Sequence, residues 1–233
     1  MLNNKITALV PMKGHSERVP GKNMRQIAGK PLFYWIIHAL EAVPEIGEIV
    51  VNTDSDEIAR TIEKFFTKVN IHKRDANLCG DDVPMNEIIA SDVNYRSASK
   101  FFLQTHSTNP LISSNTIRGA INEFTQKYRA AKADSLFSVT RHQSRFFDEK
   151  MNAINHDPKK LIKTQDLAPL FEENSCIYVF SRESFLISGN RRIGKSPTLF
   201  EIPKLESVDI DYEDDFVIAA AFLEIRERHR SNA

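Results

Sequence analysis

The sequence lacks several features that would assign it to a common class of protein. Its 31 Lys and Arg residues only equal its 31 Asp and Glu residues, so the positive excess typical of nucleic-acid-binding proteins is missing. No run approaches the roughly 18 consecutive apolar residues of a membrane span, and the N-terminus shows no signal-peptide cleavage site. Two cysteines, Cys79 and Cys176, are too few for a disulfide scaffold or a zinc finger. We therefore expect a cytoplasmic protein that binds neither nucleic acid nor membrane.

What remains is the composition of an ordinary globular protein. Hydrophobic residues make up 41% of the 233 residues and charged residues 27%, which is enough apolar side chain to form a core of useful size. We expect one domain spanning residues 1–233.

Short apolar runs alternate with segments of helical periodicity. Strands are predicted at 5–12, 48–54, 69–73, 100–105, 134–140, 175–181, 198–203 and 205–211. Helices are predicted from Pro31, after Ser55, at 84–98, at 114–130, briefly after 181, and at 213–229. This alternation predicts an α/β fold, with a doubly wound, mostly parallel sheet. Residues 141–173 break the pattern and are interpreted as an inserted hairpin or arm.

The first predicted strand is followed by a cationic loop. Residues 1–40 hold six Lys and Arg residues but a single acid. Glycines let backbone N–H groups approach a phosphate closely, and the cations neutralise it. Because ligands of parallel sheets bind beyond the carboxyl ends of the strands, a nucleotide site is plausible here, although the dinucleotide motif GxGxxG is absent. The candidate side chains in the loop are Lys13, Ser16, Arg18, Lys22 and Asn23.

An acidic segment lies near the C-terminus of the sequence. Residues 201–217 hold seven acids and one lysine. If 205–211 is a strand, Asp209 and Asp211 point to the same face, where a Mg²⁺ ion would relieve their repulsion. The alternative is a pair of solvated acids on an edge strand, and more generally two solvated surfaces of opposite charge.

Residues 189–196 match the P-loop pattern G-x-x-x-x-G-K-[ST] letter for letter. A P-loop follows a buried strand and opens a helix, whereas this segment follows helix-like residues and precedes the strand-like TLFEIP. We therefore interpret it as a tight basic turn whose cations could still face an anionic ligand. The seven histidines show no metal-binding spacing.

Several blocks together carry a family resemblance. They are 10–11 with 16–23, 29–32, 51–55, Arg74 with Leu78 and Asp81, Gln104, Asn174 before Ile177 and Tyr178, and 208–211 with Asp215 and Phe216. Over about residues 5–225 the chain resembles the bacterial acylneuraminate (CMP-sialic acid) cytidylyltransferases, which activate 2-keto sugar acids with CTP. The resemblance implies a Rossmann-like nucleotidyltransferase fold and a Mg²⁺-dependent enzyme.

The resemblance also implies a role for individual residues. The five loop side chains would hold the triphosphate, with Lys13 and Arg18 acting in catalysis. Arg74 and the loop to Asp81 would hold the base and ribose. Gln104 and Asn174 would lie near the sugar acid, while Asp209 and Asp211 would bind the metal, Asp211 also acting in catalysis. The 141–173 segment would be the dimerisation arm of a homodimer.

Two departures from the family keep alternatives open. The family commonly has Ala-Arg where this chain has Met12-Lys13, and a lysine lacks the planar fork of an arginine. The family's Gln-Pro-Thr-Ser-Pro-Leu-Arg stretch is replaced by residues 104–112, which lack the arginine. A different acceptor therefore stays open, such as an eight-carbon ulosonate, a diamino nonulosonate or a sugar 1-phosphate, as does another nucleobase. The non-enzyme alternative is a homologue that binds nucleotide sugars without turnover.

Overall fold

The protein is built on one seven-stranded sheet, seen here in a computed structural model that describes residues 5–80 and 82–231, except for the side chains of 229–231. The strands are β1 (Ile6–Pro11), β2 (Gln26–Ile27), β3 (Lys30–Pro31), β4 (Ile46–Thr53), β5 (Val69–Lys73), β6 (Phe101–Gln104), β7 (Ser135–His142), β8 (Leu170–Ser181) and β9 (Pro197–Glu201). The sheet order is β5-β4-β1-β6-β8-β7-β9, while β2 and β3 form a separate hairpin. β8 is antiparallel to both neighbours, and the other pairs are parallel.

In the described part of the chain, six α-helices accompany the sheet. They are α1 (Leu32–Glu41), α2 (Asp56–Phe65), α3 (Met85–Tyr95), α4 (Ser114–Arg129), α5 (Arg182–Ile187) and α6 (Glu213–Ser231). α2 shows why such segments become helical: the Ser55 hydroxyl accepts the Ile58 N–H as an N-cap, and Asp56 and Glu57 face the positive end of the helix dipole.

The helices cover both faces of the sheet, because successive side chains of a buried strand point to opposite sides. Ala8 and Val10 of β1 pack in the cluster that contains α1, α2 and α4. Leu9, between them, packs in the cluster with α3 and α5. The α/β architecture with a doubly wound, mostly parallel sheet is thereby confirmed.

A third apolar cluster fastens the C-terminal helix to the rest of the molecule. Phe216, Ala219 and Leu223 of α6 pack against Leu32 and Trp35 of α1. This cluster also contains Ile210, from the segment that precedes α6. The acidic end of the chain is therefore held against the segment that follows the first loop.

The ends of two strands lie within residues 141–173, the segment interpreted from the sequence as an inserted hairpin or arm. β7 and β8 extend into it as an antiparallel pair, from Val139 opposite Glu173 to His142 opposite Leu170. The outer end of β8 is largely exposed, so it lacks the apolar alternation that would have marked it as a strand. Between the two strands, residues 143–169 form only an isolated bridge and one turn of 3-10 helix.

The predicted strand at 205–211 is wrong. Backbone N–H groups of Glu206 and Ser207 donate to Pro203 and Lys204, which makes this stretch a turn. The Ile210 N–H then donates to the Thr108 carbonyl at 3.0 Å, outside any ladder. The segment therefore crosses the loop after β6, and its alternating apolar and acidic residues reflect one anchoring side chain, Ile210, between two exposed or site-facing acids.

Within the described residues, no helix is both long enough and apolar enough to cross a membrane. The P-loop-like residues 189–196 form a turn between α5 and β9 with positive φ at Gly189 and Asn190, and the element that follows them directly is a strand. Their interpretation as a basic turn is confirmed.

Candidate functional site

A cavity of about 350 Å³ lies at the carboxyl end of β1. It is the kind of crevice in which open parallel sheets bind ligands. Six of the side chains proposed from the sequence for the nucleotide line it together: Lys13, Ser16, Arg18, Lys22, Asn23 and Arg74. The structure adds His15, Glu17 and residues 106–108 of the loop after β6.

The loop after β1 is fixed at both ends. Gly14 donates its N–H to Asp54 Oδ1 at 2.7 Å, next to the N-terminus of α2. Farther along, the Asn23 amide donates to the Lys13 carbonyl at 2.9 Å and accepts from the Ser107 hydroxyl at 2.7 Å. The cationic side chains are thus carried by a backbone tied to two neighbouring loops, which favours a preorganised anion site.

Gly14 is required by a close approach. A Cβ added at this position would lie 2.8 Å from Ser55 Cβ, the residue that caps α2. Real carbon atoms are not found so close together, so either the loop or the helix start would have to move.

Gly14→Ala is therefore expected to lower the free energy of unfolding by about 1–3 kcal/mol, the usual cost of overpacking. Urea unfolding followed by circular dichroism measures this. Gly80→Ala is the matched control, because its Cβ would make only an ordinary 3.4 Å contact with Val83. Equal stabilities of the two variants would show that the loop yields without cost.

Arg74 is buried at the end of β5 and belongs to a hydrogen-bond network. Its Nε donates to Asn52 Oδ1 at 2.7 Å, and its Nη2 donates to the Met12 and Asn52 carbonyls. The Asn52 amide in turn donates to the fully buried Asp92 at 2.7 Å, and His72 contacts the same carboxylate at 2.6 Å. Burial lowers the pKa of Arg74 and raises that of Asp92.

Arg18 and Lys22 reach across the cavity to the acidic segment. Arg18 Nη2 lies 2.7 Å from Asp211 Oδ1, and its guanidinium stands over the Tyr212 ring. Lys22 Nζ donates to the Ile210 carbonyl at 2.5 Å and lies 3.9 Å from Asp211. Burial lowers the pKa of Lys22, although the neighbouring Asp209 and Asp211 oppose that shift.

The opposite charges of the two ends of the chain thus meet in space. Besides these contacts, Arg25 forms a two-bond pair with Glu213 at 2.6 and 2.7 Å and stacks on Phe216. The two charged segments are therefore in contact, because cations of the first loop pair with acids before and at the start of α6, although these side chains stay partly exposed.

Asp209 is the more buried of the two proposed metal carboxylates. Burial raises its pKa, and its buried Oδ1 has no hydrogen-bond partner among residues 5–80 and 82–228. An unpartnered oxygen beside a second carboxylate suits a hard divalent cation, since Mg²⁺ is usually held by one or two carboxylates together with substrate phosphates. Among the described residues, no cluster of three or more His, Cys, Asp or Glu side chains could hold a metal ion unaided.

Gln104 ends β6 and is completely buried. Its Oε1 accepts from Arg192 Nη1 at 2.5 Å, so its amide nitrogen faces Thr105 O at 2.9 Å and His106 Nε2 at 3.1 Å. Because an amide nitrogen can only donate, His106 Nε2 accepts and the proton resides on Nδ1. Burial, together with the charges of Arg192 and Lys22, lowers the pKa of His106 to about 4.

The remaining candidates are placed differently. Asn174 lies in β8, where its amide accepts from Ser138 at 2.6 Å and donates to Thr140 at 3.1 Å. It does not line the cavity, so its contact with substrate stays a prediction. Asp81 lies outside the described residues. Sequence reasoning noted Arg192 only as one of the cations of the 189–196 turn that could face an anionic ligand, and it did not single out Asn86, because only the tertiary fold brings their segments to Gln104.

The chain matches a known protein family over most of its length. A family model described as Cytidylyltransferase matches residues 7–227, from the first residues of β1 into α6. The chain belongs to the cytidylyltransferase family. The predicted resemblance is thereby confirmed over nearly the whole chain.

Individual relatives are distant. An N-acylneuraminate cytidylyltransferase B of Danio rerio is 27% identical over 91% of this chain and 50% of its own length. A CMP-N,N'-diacetyllegionaminic acid synthase of Legionella pneumophila is 27% identical over 96% of this chain and 98% of its own. This cytidylyltransferase-family chain spans about half the length of several relatives that it matches.

Among solved structures, a CMP:2-keto-3-deoxy-manno-octonic acid synthetase complexed with CTP superposes with a TM-score of 0.70. It is 12% identical, and the match covers 96% of this chain and all of that one. At this identity the likeness establishes the shared fold.

Proposed function

We propose that this chain transfers the cytidylyl group of CTP to a 2-keto sugar acid of the sialic-acid class. The anomeric hydroxyl oxygen forms a bond to the α-phosphorus, the bond from that phosphorus to the bridging oxygen breaks, and pyrophosphate leaves. The hydroxyl proton passes to a base. The observation that carries this proposal is the cationic cavity beside two acidic residues in a chain that the cytidylyltransferase model matches almost throughout.

The chain's own residues supply most of the catalysis by positioning and charge. Lys13, Arg18 and Lys22 bind the phosphates and neutralise the charge that develops on the leaving pyrophosphate. Arg74, fixed by Asn52, faces the nucleoside from the end of β5. Arg18 exchanges Asp211 for a phosphate oxygen when the nucleotide binds.

The acidic pair suits Mg²⁺ as the resident cofactor. Asp209, whose Oδ1 has no hydrogen-bond partner among the described residues, and Asp211, which contacts the cavity-lining Arg18, would hold the ion. When bound, the ion neutralises phosphate charge and acidifies a hydroxyl in contact with it.

The acceptor, the assembly and the location belong to the same proposal. Relatives named for N-acylneuraminate and for CMP-N,N'-diacetyllegionaminic acid support a nine-carbon acid as acceptor. A homodimer built through the 143–169 segment is supported by its exposed apolar side chains, among them Met151, Ile154 and Leu161. Action in the cytoplasm would place the enzyme with its soluble substrates, CTP and the sugar acid.

Pyrophosphate release tests the reaction directly. The protein is incubated with CTP, Mg²⁺ and one of three acids: N-acetylneuraminic, N,N'-diacetyllegionaminic or 2-keto-3-deoxy-manno-octonic acid. We expect release with a nine-carbon acid and none when EDTA is present. Release with the eight-carbon acid and with neither nine-carbon acid would identify the eight-carbon acid as the acceptor instead. Stabilisation by CTP without pyrophosphate from any acid would favour the non-catalytic binding homologue.

A further inference from the structure

Arg192 is a partly buried cation that sequence reasoning did not assign. It lies in the turn between α5 and β9. Its guanidinium stacks on the Tyr178 ring, with Cζ 4.1 Å from the ring centroid. Nη1 donates to Gln104 Oε1 at 2.5 Å, and Nε donates to Asn86 Oδ1 at 3.2 Å. Its orientation is therefore set by three side chains from β8, β6 and α3.

All of these direct partners are neutral. None of the ion pairs among residues 5–80 and 82–228 includes Arg192, and burial lowers its pKa. The negative charge of Glu173 favours the charged form of Arg192 from a distance. The Glu173 carboxylate, however, accepts a hydrogen bond from the Tyr178 hydroxyl and forms no ion pair with Arg192. A cation removed from water without a contacting counter-charge is costly unless an anion completes the site.

Part of the guanidinium is available to such an anion. Nε and Nη1 are bonded to amide oxygens, whereas no hydrogen bond within the described part of the chain uses Nη2. A guanidinium held flat by a ring and two amides offers its remaining donors in a fixed direction. This arrangement is typical of recognition of a planar oxyanion such as a carboxylate.

Arg192 is linked to the cavity through a single residue. Gln104 accepts from Arg192 and donates toward His106, which lines the cavity with Ser107 and Thr108. The phosphate-binding cations lie in the loop after β1, and Lys22 is the member of that loop whose charge acts on His106. His106 is thus under the influence of two charges, that of Lys22 in this loop and that of Arg192.

We propose that Arg192 binds the carboxylate of the acceptor and so makes the enzyme selective for sugar acids over neutral sugars. The inference rests on the proposed function, since it assigns the acid group of that reaction's acceptor. Arg192 takes no part in breaking the phosphate bond. Gln104 and Asn86 act as positioning residues for the guanidinium.

The test compares acid and amide acceptors in two variants. Arg192→Met removes the charge, and Arg192→Lys keeps the charge but loses the planar fork. The acceptors are the acid that gives the fastest pyrophosphate release and the corresponding C1 carboxamide. Arg191→Met is the matched control, since Arg191 is the exposed neighbour whose Nε donates to the Ser188 carbonyl. Thermal unfolding checks that each variant is folded.

We expect Arg192→Met to raise the acceptor KM by about 10- to 100-fold, as for the loss of a charge-assisted hydrogen bond. The KM for CTP is expected to stay within about twofold, because uniform binding of the nucleotide is untouched. The native enzyme is expected to prefer the acid over the carboxamide, and Arg192→Met to lose that preference. The acceptor KM and the acid preference of Arg192→Lys should lie between those of the native enzyme and Arg192→Met. Arg191→Met should match the native enzyme.

The possible results separate a failure of the proposed function from a failure of the Arg192 inference alone. No pyrophosphate from the native enzyme with any acid overturns the proposed function and this inference with it. Normal turnover with an unchanged acceptor KM in both Arg192 variants overturns the inference alone. A rise in the KM for CTP without one for the acid would reassign Arg192 to a phosphate, which also overturns it.

Discussion

Asp211→Asn is expected to lower kcat by at least about 100-fold while leaving the fold intact. A neutral amide cannot supply the anionic oxygen on which metal-assisted phosphate chemistry depends, and that assistance is worth several kcal/mol. Stability should change little, because Asp211 is 40% exposed and pairs with an Arg18 that is 53% exposed. Steady-state pyrophosphate release and thermal unfolding measure the two effects.

A binding measurement separates the metal role from a general loss of activity. Titration of Mn²⁺, followed by its electron paramagnetic resonance signal, should show weaker binding to Asp211→Asn in the presence of CTP. The matched control is Asp214→Asn, which removes an exposed acid from the same segment and should keep both activity and Mn²⁺ affinity. Near-normal turnover of Asp211→Asn would refute the assignment of Asp211 to the metal.

Arg74→Met is expected to damage both stability and nucleotide binding. Three acceptors, on Asn52 and Met12, lose a donor, and the buried Asp92 loses a nearby positive charge. Unsatisfied buried groups cost about 1–3 kcal/mol, so the free energy of unfolding should fall by at least that amount. The KM for CTP should rise by about 10-fold or more, the value of one charged hydrogen bond.

Urea unfolding and CTP-dependent kinetics measure the two effects of Arg74→Met. Arg60→Met is the control, because it removes an exposed arginine from α2. Arg74→Lys should retain part of the affinity through its charge but not the forked hydrogen bonds. Unchanged KM in a destabilised Arg74→Met would show that the network is purely structural.

Local chemistry made much of the fold predictable. β1 is apolar apart from Thr7 because it is buried on both faces, and α2 begins where Ser55 can cap it. The loop after β1 could be singled out because glycines, cations and the end of a strand coincide there. Even so, Phe65 at the end of α2 is 40% exposed, while Phe66 just beyond the helix is buried.

What depended on tertiary contacts was not predictable. Residues 205–211 alternate like a strand, yet Ile210 is buried by α6 rather than by a sheet neighbour. The antiparallel direction of β8 leaves no mark in its own residues, and it is β8 that supplies Tyr178 beneath Arg192. The basic turn at 189–196, which matches the P-loop pattern only by chance, thus contacts Gln104 through Arg192. This contact depends on the tertiary fold and could not be predicted from the residues of the turn.

The contact between Lys22 and Ile210 spans 188 positions of the chain. At a translation rate of about 5–20 residues per second, the cationic loop is synthesised roughly 10–40 s before its acidic counterpart. During that interval the loop lacks the charges that later balance it. The acidic segment therefore reaches the cationic loop only after all strands of the seven-stranded sheet have been synthesised.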